Sequence, residues 1–315
     1  MSSFGKVLAM ISKKLKYAEL CTKKEIPLFS QYHWMNAVCG ENNWDVIIIE
    51  ENGNTLGTLV YFLCEISDGY EIKKAPLTQN NGIIYFYPKG LKYDRMLAFE
   101  YKVADKIIDE LEKLGIKKYR QYYHRSFTNW LPFYWRGYSQ STRYTYLIED
   151  TSNLDEVYKN FNSSLRNDLR KAQGIVKIKK GMDCKDFYEL NEKTYSRQGI
   201  DIPYNFELFN RVHSNLVENK CVEIYYAVDE CDNIHSAALF AYDSDSVYYL
   251  MSGSLDEFRY SQSLSLLIYE GINLANRLRK SFDFEGSMKK NIEPLFRKFG
   301  AKQMQYFDIS KEFRL

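Results

Sequence analysis

What most constrains this chain is that it runs through the same order of elements twice. Trp44–Glu50 and Thr55–Leu63 are β-rich runs joined through Asn52-Gly53, a strong hairpin signal. Val222–Val228 and Ile234–Tyr242 form a second such pair, joined through Glu230-Cys231-Asp232-Asn233. A long amphipathic helix follows in each half. One covers about Arg95–Leu114 and is closed by Gly115; the other covers about Ser261–Lys280, with Ser261 as its N-cap. Short strands come next, Lys117–Tyr123 and Ser281–Glu285. Then Asn129, Pro132, Gly137 and Gln140 recur as Asn291, Pro294, Gly300 and Gln303, a short helix with proline near its start and glycine at its end. Arg143–Ile148 and Gln303–Ile309 are expected to close their respective halves as terminal strands. This order predicts an α/β (α+β) layer fold, two mixed twisted sheets each flanked by helices.

With 315 residues the chain is long enough for two domains. The boundary is expected near residue 150, giving domains 1–150 and 151–315. The second domain includes a helical connector, 153–172, with Leu154–Asn160 and Ser164–Ala172 helical by period. Two more helices, about Asp183–Gln198 and Asn205–Asn219, precede the second hairpin.

A net charge of +2 excludes a dominant electrostatic partner over the whole surface. The six cysteines show no CxxC spacing, and the four histidines no metal or triad spacing, so no metal is expected. Such thiols read as residues of a reducing, cytoplasmic compartment. No secretory leader or membrane-length apolar stretch is evident. Phe4–Leu20, with Lys6, Lys13, Lys14 and Lys16, reads as a solvated basic helix, or one making peripheral membrane contact.

Phe282–Met288 followed by Ile292–Gly300 resembles the C-terminal signature of GNAT-like proteins related to the Fem-type peptidoglycan aminoacyltransferases. Thr128–Gly137, Thr142–Tyr146, Arg166–Ala172 and Leu77–Gln79 are similar to the same group, so the likeness runs from about residue 28 to the end. It implies two tandem GNAT-type domains and an acyltransferase. That enzyme would form an amide by moving an acyl or aminoacyl group onto an amine of a cell-envelope glycan or peptidoglycan-type precursor. The partners implied are a nucleotide- or lipid-linked glycan acceptor and, for one class of donor, aminoacyl-tRNA. The alternative is a degenerate, non-catalytic pair that binds a glycan or nucleotide-sugar.

In a GNAT-type sheet two central strands splay, and the following helix N-terminus receives a phosphate. The corresponding strand here is Val247–Ser252, and Arg259, Ser261 and Ser263 at the helix start are the donor-binding candidates. Acetyl-CoA loops carry glycines where this chain has serine and leucine. The donor is therefore left between acyl-CoA and aminoacyl-tRNA, with no tightly bound cofactor. Asp283 and Glu285 alternate on one strand, so both face the same side as paired carboxylates suited to general-base work, or as a turn cap. Lys289 and Arg297 lie near that strand's end and suit phosphate contacts. The resemblance implies that Arg197, Gln198 and Tyr204 line the acceptor cleft. Thr78 and Gln79, with Lys74, sit in a loop without a counterpart in the second half, a common place for recognition. Trp130, Tyr134 and Trp135 divide between sugar stacking and core. Arg166, Arg170 and Lys171 form a basic helical face.

Overall fold

The computed structural model describes residues 3–286 and 288–313. Ser287 and the side chain of Lys6 lie outside the described residues. The chain forms two compact units, residues 1–143 with 305–315, and residues 144–304.

The first unit begins with α1 (Ser3–Lys23) and α2 (Tyr32–Cys39), then β1 (Trp44–Glu51), β2 (Asn54–Ile66), β3 (Gly69–Lys73) and β4 (Gly82–Tyr85). Asn52 and Gly53 both take positive φ, 50° and 76°, the pairing a tight hairpin turn needs. The long helix is α3 (Tyr93–Glu112), followed by β5 (Lys118–Tyr122), α4 (Leu131–Trp135) and β6 (Ser139–Ile148). Val103, Ala104, Ile107, Ile108 and Leu111 of α3 recur at helical spacing and are buried against Leu59, Ile72 and Tyr119 of the sheet. β3 pairs parallel with β5 at Glu71↔Lys118 and Ile72↔Tyr119.

The second unit adds α5 (Leu154–Lys159), α6 (Ser163–Gln173), β7 (Lys177–Lys180), α7 (Cys184–Ser196), α8 (Phe206–Glu218), β8 (Val222–Val228), β9 (Ile234–Tyr242) and β10 (Ser246–Ser254). The chain then runs through α9 (Ser263–Leu278), β11 (Ser281–Asp283) and α10 (Glu293–Lys298) to a last strand, β12 (Lys302–Glu312), most of which belongs to the first unit. β7 to β10 are an antiparallel run, and β11 returns parallel to β10 across α9. Leu267, Ile268 and Ile272 of α9 are buried with Phe240, Val247 and Phe282 in this unit's core.

The repeat expected from the sequence is therefore present, but its terminal strands are exchanged. The end of β6 pairs with β11 at Phe282↔Ile148 and Asp283↔Leu147, inside the second unit. The end of β12 pairs with β5 from Asp308↔Tyr122 to Glu312↔Lys118, inside the first. Sequence adjacency could not reveal this, because either strand satisfies the backbone of either sheet edge equally well.

Two smaller expectations change. Lys14 is not solvated: it is 4% exposed, its ammonium lies 4.7 Å from the Trp44 ring and donates to the Glu41 carbonyl, and burial pulls its pKa down. And α9 begins at Ser263 with left-handed Gln262 (φ 57°) as N-cap, so Ser261 ends a preceding 3-10 turn, Asp256–Ser261.

A fragment ending at Asp150 lacks β12 and should show no cooperative thermal transition by circular dichroism. In the full chain, Ile309→Ala empties a fully buried site on β12 and should cost about 2–5 kcal/mol in chemical denaturation.

Candidate functional site

The second unit holds a forked sheet. β10 and β11 pair at Ser246↔Ser281, Val247↔Phe282 and Tyr248↔Asp283, after which β11 ends while β10 continues to Ser254. At the parting, the register of β10 against β9 shifts between Tyr249 and Met251, leaving Leu250 as the extra residue of a bulge. A bulge re-aims backbone amides that a regular ladder would consume. The floor of the fork is aromatic. Phe284 packs on Phe282 and on Phe296 of α10, both at 4.9 Å, and Tyr249 meets Phe296 at 6.2 Å.

Asp283 stands at the parting, 3% exposed. Its Oδ1 accepts from the Thr145 hydroxyl and, at 2.9 Å, from the Glu285 backbone N–H. That second bond turns the chain, so Glu285 does not continue the strand. It takes φ 63°, a left-handed conformation uncommon for a non-glycine residue, and the two carboxylates do not alternate on one face as the spacing predicts. Gly286 completes the turn at φ 65°, where a Cβ would lie 2.2 Å from the Tyr144 carbonyl oxygen. Lys289 is exposed, and exposed Arg297 pairs with Glu293 at 3.3 Å along α10. Glu293 also accepts from the Tyr146 hydroxyl at 2.9 Å.

The far half of β10 carries α7. Asn191 Nδ2 donates to the Ser252 carbonyl, the Ser254 amide donates to Thr194 Oγ1 at 2.9 Å, and a Cβ on Gly253 would lie 2.7 Å from the Leu190 carbonyl carbon. Arg197, capping α7, reaches the Ser254 carbonyl and Asp256 at 3.4 Å each. Gln198 turns back to the Thr194 carbonyl at 3.1 Å. Tyr204 is 8% exposed, donates its hydroxyl to Asn191, and has its pKa raised by burial. Tyr204 thus fixes the helix that bears Arg197. From Tyr248, opposite Asp283, to Ser254, beside Arg197, is about 20 Å at the usual strand rise of ~3.3 Å per residue. The two groups flank the open half of β10 and do not meet.

At the start of α9 the serine hydroxyls are used internally. Ser261, fully buried, donates to the Phe258 carbonyl at 2.8 Å, and Ser263 shares a 2.7 Å bond with Ser236. Exposed Arg259 rests on Asp256 at 3.4 Å. What the helix start offers a ligand is its backbone amides, its dipole and Arg259. Gln262 supplies the left-handed turn into the helix, φ 57°. Sequence reasoning gave His235 no role, yet it supports this turn: its ring stacks on Phe258 at 4.1 Å and 4°, and Nε2 is hydrogen-bonded to Asp229 at 3.3 Å. Its place at the foot of the second hairpin, ahead of the turn, was the available signal. Hydrogen bonds, first from the Asn233 side chain, pull Asp229 down to about 2.

Other candidates lie elsewhere. Thr78 is 1% exposed, accepting from the Trp34 indole and donating to the Pro76 carbonyl, both at 2.9 Å; Gln79 is buried beside it. This loop is an anchor for α2. Tyr134 and Trp135 are each 59% exposed, whereas Trp130 is half-buried and packs on Tyr134. Arg166 donates to the Lys159 and Phe161 carbonyls, and Arg170 to Asn167. A cleft of about 460 Å³ opens beside the end of β6, lined by Glu149, Asp150, Asn153, Glu156, Gly300 and Lys302 among others; none of the candidate residues lines it. No cluster of metal-ligating side chains occurs, and no helix is long and apolar enough to cross a membrane, among the described residues.

No family model matches the chain, and no curated protein matches it in sequence. Among solved structures it is similar to FemX, at 12% identity and TM-score 0.71, over 93% of this chain and 95% of that one. It is similar to the C-terminal domain of a putative lysylphosphatidylglycerol synthetase from Agrobacterium fabrum, at 10% identity and TM-score 0.56, over 95% and 92%. It is also similar to a tandem GNAT protein from the clavulanic acid biosynthesis pathway, at 9% identity and TM-score 0.53, over 96% and 95%.

Gly253→Ala should push α7 off β10, costing about 1–3 kcal/mol and removing hydrogen-exchange protection from α7 before the rest of the unit. Because the Asp229 pKa is depressed, its contribution is present above about pH 4 and is lost as pH falls toward 2. The melting-temperature gap between wild type and Asp229→Ala should therefore be full at pH 6 and shrink between pH 4 and 2.

Proposed function

We infer that this chain, which has the Fem-like tandem GNAT fold, is an acyltransferase that forms an amide on an amine of a cell-envelope glycan or peptidoglycan-type precursor. The observation that carries the reading is the fork. A parallel strand pair opens at Tyr248/Asp283, beside a bulge at Leu250, with a helix N-terminus following β10. Acyl transfer needs an oxyanion site, a proton acceptor and two substrates held in line. The bulge amides offer the first, Asp283 the second, and the open half of β10 the line between donor and acceptor.

In the proposed step the acceptor amine attacks the acyl carbonyl, forming the C–N bond. The amine proton passes to Asp283, directly or through water. The tetrahedral oxyanion collapses, the bond from the acyl carbon to its carrier breaks, and the same proton is delivered to the departing oxygen or sulfur of the carrier, which restores the carboxylate. Glu285 stands next to that proton path. Arg259 and the α9 amides would hold the donor's phosphate, with Ser261 and Ser263 shaping the turn. Arg197 and Gln198 would meet the acceptor, with Tyr204 positioning them, and Lys289 and Arg297 would approach its phosphates. Thr78 and Gln79 would act by fixing the α2 loop. With serine and leucine in place of loop glycines, aminoacyl-tRNA is the favoured donor over acyl-CoA. The acceptor is a nucleotide- or lipid-linked glycan, met in the cytoplasm, with peripheral membrane contact in the lipid-linked case.

The deciding experiment is mass spectrometry of envelope glycans, with and without the protein, alongside reactions of purified protein with aminoacyl-tRNA or acetyl-CoA and amine-bearing acceptors. An acyl or aminoacyl mass that disappears with the gene product supports the reading; unchanged glycans and no product from either donor would leave a binding module. Asp283→Asn should lower kcat by about 10²–10⁴ if it takes the proton, whereas Arg197→Ala should mainly raise the acceptor KM. Acetyl-CoA should give no strong thermal stabilisation.

A further inference from the structure

The first unit carries a group of cations that the acyl-transfer reading does not use. Tyr122 lies on β5 directly opposite Asp308 of β12, on the sheet face away from α3, since its neighbours Tyr119 and Tyr123 alternate into the α3 core. Arg143 Cζ lies 4.6 Å from the Tyr122 ring centre, with Arg120 Cζ and Lys74 Nζ each at 5.8 Å. Tyr306 stands beside it at 6.3 Å and accepts from Arg143 Nε at 3.4 Å.

The two arginines are held differently. Arg120 is locked in a two-pronged pair with Asp308, Nη2 to Oδ2 at 2.8 Å and Nε to Oδ1 at 3.1 Å, and Asp308 is 4% exposed. Among the described residues no carboxylate lies within ion-pair distance of Arg143, which is half-buried and oriented by the two tyrosines. Asp308 already answers the charge of Arg120, so among the described residues Arg143 is the guanidinium at this ring with no carboxylate beside it. A guanidinium fixed by stacking, with its terminal N–H groups unused by any carboxylate, is prepared for a two-pronged anion.

We propose that the Arg143–Tyr122–Tyr306 cluster, flanked by Arg120 and Lys74, is a binding site for a phosphate or diphosphate group. The site is independent of acylation: a protein that held a sugar diphosphate without modifying it would carry it too.

The test is calorimetric titration of the full chain with inorganic pyrophosphate at low and at 150 mM salt. Wild type should bind, more weakly at the higher salt, and Arg143→Gln should weaken binding about tenfold. Lys302→Gln, beside the cleft of the second unit, should leave binding unchanged. Arg143→Lys keeps the charge without the fork and should fold as wild type while binding more weakly; it decides the matter if the glutamine variant melts early. Absence of binding to wild type, or binding as tight as wild type by both Arg143 variants, overturns the proposal. Competition then assigns the source: stronger displacement by UDP-N-acetylglucosamine indicates a nucleotide-linked group, stronger displacement by farnesyl diphosphate a prenyl-linked one. Equal displacement indicates recognition of the diphosphate alone.

Discussion

A strand of only three residues, β11, holds the fork of the second unit in place. It is bonded parallel to β10 on one side and antiparallel to the end of β6 on the other. So short a strand has little stability of its own and is fixed by its neighbours and by Phe282 and Phe284, which are buried beneath it. Where it stops is set by Asp283, whose side chain captures the Glu285 amide and turns the chain into the left-handed pair Glu285 and Gly286. The opening between β10 and β11, and hence room for any ligand there, follows from that one side-chain bond and from the close approach of Gly286 to Tyr144.

Several of the tyrosines serve packing and hydrogen bonding together. Tyr204 packs among Tyr188, Tyr195 and Phe209 while its hydroxyl fixes Asn191, and Asn191 in turn fixes Ser252. Tyr119 and Tyr123 share a 2.6 Å bond inside the first unit, with Gln121 accepting from Tyr119. Buried aromatic rings with satisfied hydroxyls add apolar contact and directional bonds at once. Burial raises the pKa of each of these hydroxyls, so they remain neutral donors through the physiological range.

Much of this was legible beforehand. The hairpins, the two long helices and the connector helices announced themselves through period, caps and Asn-Gly chemistry, all local properties. The site was less legible. Tyr204 and Thr78 are residue types that bind ligands and also fill cores, and only burial separates the two uses. The Asp283–Glu285 spacing suggested a shared face because alternation assumes an extended chain, which a side-chain-to-backbone bond can end in one residue.

By itself, the sequence determined the two hairpins, the long and connector helices, their doubled order and the layered class of fold, since each depends on contacts a few residues apart; the short strands β3, β4 and β7 and the helix α2 left no such local signal. Tertiary structure alone decided that β6 completes the second unit and β12 the first, because edge pairing is non-local and chemically indifferent to which strand supplies it. It also decided that Arg120, Arg143 and Lys74 gather at one ring. Residues so far apart in the chain meet only once β12 has been laid against β5.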